Sequence, residues 1–209
     1  MTVYTYVITR DYGFAPNPFF GCCTLATCKP KIRNSAQIGD WIVGFGSNAV
    51  DSCYKNRIIY AFEVEGKLTF DNYWNSSMFQ NKKPLLTGSL KQCYGDNIYH
   101  KVNGLYRQEN SHHSFEEGIE NLDNKTRDLH SEYVLYGHKY FYWGKDAIPC
   151  KKQFLLFKPS CRDHRRFSSS EYPDVILFID WICSNGAFGF YSEPIMFNAE
   201  FERYKGERI

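Results

Sequence analysis

The sequence predicts a mixed α+β fold: a small bent or barrel-like, mostly antiparallel β-sheet with peripheral helices and one buried C-terminal helix. Aromatic residues make up 18% of the 209-residue chain, and aromatic and β-branched side chains pack well on pleated surfaces. The segments rich in them are short and end at Gly, Pro, Asn or Asp, which is typical of strands joined by turns. A clear helical period of apolar residues occurs near residues 175–182.

Three longer strands are predicted from the residues alone. Residues 3–9 are all β-branched or aromatic and end where turn residues begin. Residues 41–45 follow a Gly-Asp turn, and residues 57–64 place apolar side chains on both faces of a strand. Shorter strands are predicted near residues 98–100, 133–136, 140–143, 154–157 and 188–191.

Two helices are predicted. Residues 69–74 form a short helix in which the hydroxyl of Thr69 caps the first turn. The second helix carries apolar residues at the spacing i, i+3, i+4, i+7 and stops at an Asn-Gly pair. Because Leu177 and Trp181 lie on its other side, most of its circumference is apolar and we expect it to be largely buried.

The length of the chain fits a single domain, residues 1–209, with a polar insertion around residues 101–131. No run of 18 apolar residues is present, and the N-terminus lacks a basic segment followed by a long apolar one. We therefore expect a cytoplasmic protein without a membrane partner. Eight cysteines without regular spacing are expected to be reduced thiols.

The net charge of +2 is small and unevenly distributed. Residues 151–170 carry six Lys or Arg against one Asp, whereas residues 109–132 carry seven acidic residues against two basic ones. Proteins that bind long nucleic acids usually have a clear basic excess, because phosphate neutralisation supplies most of the non-specific affinity. The charge balance favours a small ligand or a short nucleic-acid segment.

Several motifs together resemble the nucleotide modification associated domain 2 family. They are residues 9–19 (TRDYGFAPNPF), 23–33 (CTLATCKPKIR), 39–41 (GDW), 95–100 (GDNIYH) and 110–113 (NSHH). The resemblance covers residues 1 to about 150 well and the rest more loosely. It implies an accessory role in bacterial or phage gene clusters that modify the bases of DNA, and it implies no particular reaction.

A weaker resemblance concerns the fold. The order of residues 32–34, 39–43, 47–48 and 58–64 is similar to that of PUA-like barrels, including the EVE and ASCH domains. The resemblance implies an aromatic pocket that receives a nucleobase, and it would place Trp41 and Ser47 at that pocket. The alternative is a tryptophan packed in the core beside a tight turn.

The loop at residues 10–19 is the first candidate binding site. A base needs flat apolar faces and hydrogen-bonding partners, and a phosphate needs cations. The candidates are Tyr12, Phe14 and Phe19 for stacking, Asp11 and Asn17 for the base edge, and Arg10, Lys29 and Lys31 for phosphate. The alternative is a structural loop that packs its own aromatic residues into the core.

A histidine-rich region is the candidate for catalysis, because histidine transfers protons readily near neutral pH. It comprises Asp96, Tyr99, His100, Ser111, His112 and His113. Paired imidazoles with Asp96 or Asp128 could also ligate a metal. Against both, adjacent residues of a strand point to opposite faces, and a polar insertion with solvated histidines remains an alternative.

A zinc site is disfavoured. The available pairs are Cys23 with Cys28 and Cys161 with His164. Structural zinc sites usually show two close ligand pairs; here the spacing of one pair is adequate and that of the other is borderline. We therefore predict no metal ligand, and the sequence identifies no cofactor.

Three functions remain open. The first is a module that binds or processes a nucleotide or modified base, free or within a nucleic acid, through an aromatic pocket with basic residues. The second is an enzyme of nucleotide modification or hydrolysis in which His112 or His113 is the general base, assisted by Asp96 or His100. The third is an accessory protein that contacts a partner enzyme of a modification pathway.

Overall fold

The computed structural model describes residues 1–48, 51–160, 163–198 and 200–204. The strands are β1 (Thr2–Ile8), β2 (Cys23–Leu25), β3 (Trp41–Gly46), β4 (Arg57–Glu63), β5 (Gly66–Thr69), β6 (Tyr99–Val102), β7 (Leu105–Gln108), β8 (Tyr133–Gly137), β9 (Tyr140–Tyr142), β10 (Ile148–Pro149), β11 (His164–Ser168) and β12 (Gly189–Phe190). The α-helices are α1 (Pro30–Ser35), α2 (Phe70–Asn75), α3 (Leu90–Cys93), α4 (Leu122–Asp128) and α5 (Asp174–Cys183).

The largest sheet has seven strands in the order β11-β1-β3-β4-β9-β12, and β10 also pairs with β4. The pairs β1–β3 and β9–β12 are parallel, and the other pairs are antiparallel. A three-stranded sheet, β2-β8-β5, and the hairpin β6-β7 complete the strands. These elements confirm the predicted α+β class. The described strands form no closed barrel, so of the two predicted forms the sheet is the bent, open one.

The central strand β1 has apolar neighbours on both of its faces. Tyr4, Tyr6 and Ile8 pack into one hydrophobic cluster, whereas Val3 packs into another that contains the buried face of α5. Successive side chains of a strand point to opposite faces, so a continuous β-branched and aromatic run suits a strand that is covered on both sides. One face of β1 is therefore packed along its length by Tyr4, Tyr6 and Ile8, and the other is packed near its start by Val3.

Two details of the predicted elements are corrected. Residues 154–157 lie in a 3-10 helix (Lys152–Phe157) instead of a strand, because Phe154 and Phe157, three residues apart, both pack on Phe178 of α5. Helix α5 buries one stripe only, and Leu177 is 57% exposed.

The predicted cap of α2 is confirmed, since the Thr69 hydroxyl accepts a hydrogen bond from the Asn72 N–H at 3.2 Å.

The segment at residues 101–131 is not a solvated polar insertion throughout. It contains most of the hairpin β6-β7, the turn at residues 111–114 and helix α4. Its polar residues His112, His113 and Asp128 are buried. The chain shows no helix, within the described ranges, that has the length and apolar character needed to cross a membrane.

Candidate functional site

A cavity of about 260 Å³ lies at the end of β1. Its wall is formed by residues 6–10, the following loop, the two residues before α1, the turn at residues 111–114, the end of α4 and the C-terminal segment. None of the lining residues in the described part of the chain is acidic, whereas Arg10, Lys29 and Arg127 are basic. The electrostatic character of the wall therefore favours an anion.

A thiol, an imidazole and a carboxylate lie in line at one side of the cavity. The Cys28 Sγ is 4.0 Å from His113 Nε2. The other ring nitrogen of His113, Nδ1, donates to Asp128 Oδ2 at 2.7 Å. Cys28 and His113 line the cavity, and Asp128 is fully buried behind them. Such a line can pass a proton from the thiol to the imidazole while the carboxylate fixes the ring.

The backbone holds Cys28 in an unusual conformation. Cys28 and Lys29 have φ values of 56° and 39°, in the left-handed region that costs a non-glycine residue about 1–2 kcal/mol. The Cys28 N–H donates to Asp128 Oδ1 at 2.8 Å, and the Cys28 carbonyl accepts from Arg33 Nε at 2.8 Å. Pro30 then begins α1 at a position that suits its fixed φ. Together these constraints keep the thiol at the cavity wall.

The two adjacent histidines lie in a turn instead of a strand, so both can line one cavity. Their ring centroids are 5.6 Å apart. The His112 carbonyl accepts from the Tyr204 N–H at 2.7 Å, and the His113 carbonyl accepts from Asn124 Nδ2 at 3.0 Å. The turn is thereby tied to α4 and to the C-terminal segment.

The line of three groups is electrostatically coupled. Burial alone would lower the pKa of His113, but the charge and hydrogen bond of Asp128, with the Cys28 thiol, raise it to about 9. Burial would likewise raise the pKa of Cys28, but the hydrogen bond and charge of His113 outweigh it, and the pKa lies below its ordinary value. The coupling therefore shifts the Cys28 thiol towards ionisation beside a protonated His113.

His112 has the opposite character. Burial first, and then the charge of His113, lower its pKa to about 3. Its Nδ1–H donates to the Glu202 carbonyl at 2.6 Å. Its ring packs on Tyr12 and Phe14, with centroids 4.9 Å away in both cases. His112 is therefore a neutral, packed imidazole at neutral pH.

Aromatic rings accompany the cations of the cavity. The guanidinium groups of Arg10 and Arg127 lie 4.6 and 5.5 Å from the centre of the Tyr204 ring. The ammonium group of Lys29 lies 4.5 Å from the centre of the Tyr6 ring. All five side chains line the cavity. Cations next to flat rings are the combination that binds a nucleotide through its phosphate and its base.

A model of the family described as nucleotide modification associated domain 2 matches residues 1–201 of the chain. The chain belongs to the nucleotide modification associated domain 2 family. The name of the family connects the chain to a nucleotide modification system. No curated protein and no solved structure matches the chain.

Six of the residues that were predicted from the sequence as binding or catalytic residues line the cavity. They are Arg10, Tyr12, Phe14, Lys29, His112 and His113. Tyr99 lies one layer behind them, where its hydroxyl donates to Asp128 Oδ2 at 3.0 Å. The loop at residues 10–19 and the histidine turn, which the sequence treated as two separate candidates, thus form one wall.

Four other suggested residues are buried away from the cavity lining. Asp11 accepts the hydroxyl of Tyr142 and the Ile195 N–H, and Asn17 accepts from the buried Lys82 ammonium group at 2.7 Å. Phe19 packs in an aromatic cluster, and Trp41 packs in the core between the sheet and α5. For Phe19 and Trp41, this is the core packing that was the alternative to a binding role, and Asp11 and Asn17 hydrogen-bond to buried neighbours.

The five remaining suggested residues also lie outside the lining. Asp96 is buried and accepts from Thr24 and Tyr73. His100 stacks on Trp74 and contacts Glu109, and Lys31 pairs with Asp163 on the surface. Ser47 follows the strand β3, and Ser111 is buried at the start of the histidine turn. The carboxylate that pairs with the histidine turn is therefore Asp128, through His113, and neither Asp96 nor His100 lies in that position.

Arg127 and Tyr204 were not predicted as site residues, and Cys28 and Asp128 were predicted only as possible metal ligands. Since Asp128 accepts from His113 Nδ1 and from two further donors, its oxygens are occupied. Within the described ranges, no cluster of three His, Cys, Asp or Glu has an arrangement that could hold a metal ion. Cys161 of the other suggested zinc pair lies outside the described residues.

Proposed function

We propose that the cavity binds a single nucleotide, with the base against the aromatic rings and the phosphate beside the basic side chains. The observation that carries the proposal is that Tyr12, Phe14 and Tyr204 line the same cavity as Arg10, Lys29 and Arg127. A base has flat faces that stack on aromatic rings, and a phosphate is bound best by guanidinium and ammonium groups.

The size of the cavity limits the occupant. At about 260 Å³, it is slightly below the range of roughly 300–1,000 Å³ that is typical of pockets for drug-sized ligands. This volume suits one base with its sugar phosphate and excludes a stacked run of bases. A base within a nucleic acid would have to be extruded from the stack before it could enter.

The charge of the wall supports an anionic ligand. His112 stays neutral, and the charge of the protonated His113 is compensated by the buried carboxylate of Asp128 at 2.7 Å. The remaining charges on the lining side chains are positive. A phosphate therefore enters a wall whose charge is complementary to its own.

Binding of the four 2′-deoxynucleoside 5′-monophosphates, compared with the nucleosides and with inorganic phosphate, tests the proposal by calorimetry. We expect Arg10→Gln to weaken monophosphate binding by a factor of about 10–100, since a charge-assisted hydrogen bond contributes roughly 1.5–3 kcal/mol. Arg166→Gln on β11 makes the same charge change at an exposed residue outside the cavity and is the matched control.

The proposal requires that the nucleosides bind more weakly than the monophosphates. It also requires that inorganic phosphate alone binds more weakly than the monophosphates. Equal losses in the two arginine variants would assign the effect to overall charge. Absence of monophosphate binding at millimolar concentration in the unmodified protein would refute the proposal.

A further inference from the structure

The cavity wall carries a group that nucleotide binding does not require. We propose that Cys28 is a catalytic nucleophile that attacks an sp² carbon of the bound ligand, with His113 as its proton-transfer partner and Asp128 as a positioning residue. The class of substrate rests on the proposed function: a nucleotide or modified base with a carbonyl or amidine-type carbon that bears a leaving group. The nucleophile itself rests on the contacts around the thiol.

The first support is the position of the thiol relative to its base. The Cys28 Sγ to His113 Nε2 distance is 4.0 Å, and the His113 Nδ1 to Asp128 Oδ2 distance is 2.7 Å. Hydrogen bonds between catalytic groups are often long without substrate and shorten when it binds. Because Asp128 accepts the hydrogen bond of Nδ1–H, the Nε2 atom is the one that faces the thiol.

The second support is the contrast with the other described cysteines. The pKa of every other described cysteine is raised, chiefly by desolvation, and this includes the exposed Cys53. The pKa of Cys28 is lowered. His113 from the histidine turn and Arg127 from α4 lower the pKa of Cys28, and Asp128 from α4 raises it. A thiol of lowered pKa at a cavity wall is the arrangement found in reactive cysteines.

The third support is the strained backbone that presents the thiol. Cys28 and Lys29 adopt positive φ values, although neither is glycine. Residues in this conformation persist only where the surroundings over-determine them, and they cluster at functional sites. Asp128 contributes to both features, since one carboxylate oxygen fixes the Cys28 N–H and the other orients His113.

The reaction is an addition followed by an elimination. The thiolate adds to the carbon, an S–C bond forms, and the electron pair of the C=O or C=N bond moves to the heteroatom. When that pair returns, the bond to the leaving group X breaks, and X departs as HX with the proton of His113 Nε2. Water, deprotonated by His113, then attacks the same carbon and releases the thiolate. The net change is R–X + H₂O → R–OH + HX, which needs no oxidant or reductant.

Alkylation by iodoacetamide, followed residue by residue with peptide mass spectrometry from pH 5 to 9, tests the nucleophile without a substrate. The thiolate displaces iodide, so the rate reports the thiolate fraction. Ordinary thiols are only a few per cent ionised at pH 7. We expect Cys28 to react on the order of 10-fold faster than the exposed Cys53 at this pH, after allowance for the lower nucleophilicity of a low-pKa thiolate.

The pH midpoint of Cys28 alkylation is the decisive quantity. We expect it to lie below that of Cys53 in the same sample, and to rise to about 8.5 or above in His113→Asn, since the imidazolium is lost. A Cys28 midpoint equal to or above that of Cys53 overturns the proposal, as does a Cys28 that iodoacetamide does not modify. The measurement on the unmodified protein stands even if His113→Asn does not fold.

Protection by the 2′-deoxynucleoside 5′-monophosphates separates this proposal from the proposed function. If both hold, a saturating monophosphate slows alkylation of Cys28 and leaves Cys53 unchanged. A low Cys28 midpoint without monophosphate binding supports the nucleophile and refutes the ligand class. Monophosphate binding with an ordinary Cys28 midpoint supports the ligand class and refutes the nucleophile.

Discussion

Asp128 is the residue on which the geometry of the cavity most depends, and Asp128→Asn tests this dependence. Three donors converge on its buried carboxylate: His113 Nδ1–H and the Tyr99 hydroxyl on Oδ2, and the Cys28 N–H on Oδ1. An asparagine side chain offers one acceptor oxygen, and its amide group is itself a donor. At least one of the three donors must lose its partner, and His113 loses the charge that keeps it protonated.

The expected loss of stability is large. Removing one partner of a buried ion pair costs about 3–5 kcal/mol, because the other charge stays buried without compensation. In a chain of this size, 1 kcal/mol corresponds to roughly 2–4 °C in the melting temperature. We therefore expect Asp128→Asn to lower the melting temperature by about 6–20 °C. The pH midpoint of Cys28 alkylation should rise in the same variant.

Differential scanning fluorimetry measures the shift, and Asp163→Asn is the matched control. Asp163 makes the same type of contact, a 2.6 Å ion pair with Lys31, but half of its side chain is exposed. Exposed ion pairs contribute little to stability. Similar small shifts in the two variants would show that Asp128 does not hold a charged partner in the folded protein.

Three further predictions concern the surroundings of the site and the core. His112→Asn should reduce the loss of stability in acid, measured as the free energy of unfolding in urea. The pKa of His112 is about 3 in the folded protein and about 6.5 in the unfolded chain. The stability due to neutral His112 is therefore complete above pH 6.5, and about 2 kcal/mol of it is lost by pH 5. Tyr99→Phe should lower the free energy of unfolding by about 1–3 kcal/mol, since it removes a donor to Asp128. In α5, Phe178→Ala should lower it by about 3–5 kcal/mol, whereas Leu177→Ala on the exposed side should change it by less than about 1 kcal/mol; equal effects would contradict the observed orientation of the helix.

The strands were predictable where residue type and position agree. In β1, β3 and β4, runs of β-branched and aromatic residues end at turn residues, and the structure places strands there. Residues 154–157 (FLLF) are apolar but contain no β-branched residue, and their two phenylalanines pack at a spacing of three, which suits a 3-10 helix. The deciding contact is with Phe178 of α5, which lies later in the chain, so the local sequence does not show it.

The site was predictable in part. The aromatic and basic residues of the loop and the histidine pair were identified by residue type, and six of them line the cavity. The partners Cys28 and Asp128 are 100 residues apart. Nothing local distinguishes Cys28 from a core cysteine, or Asp128 from the other acidic residues of a polar segment. Their roles come from contacts that only the folded chain provides.

The adjacent histidines show most clearly how the fold assigns chemistry to equivalent residues. The Nδ1 atom of each donates a hydrogen bond, but His112 donates to a backbone carbonyl and His113 to a carboxylate. Burial and the charge of His113 lower the pKa of His112 although the carbonyl contact opposes them, whereas the carboxylate, with the Cys28 thiol, holds the proton on His113. One identical pair in the sequence therefore supplies a neutral, aromatic-packed imidazole and a charged proton-transfer group. The carboxylate is the strongest of the groups that raise the pKa of His113, so replacing it should bring the two rings closer in character.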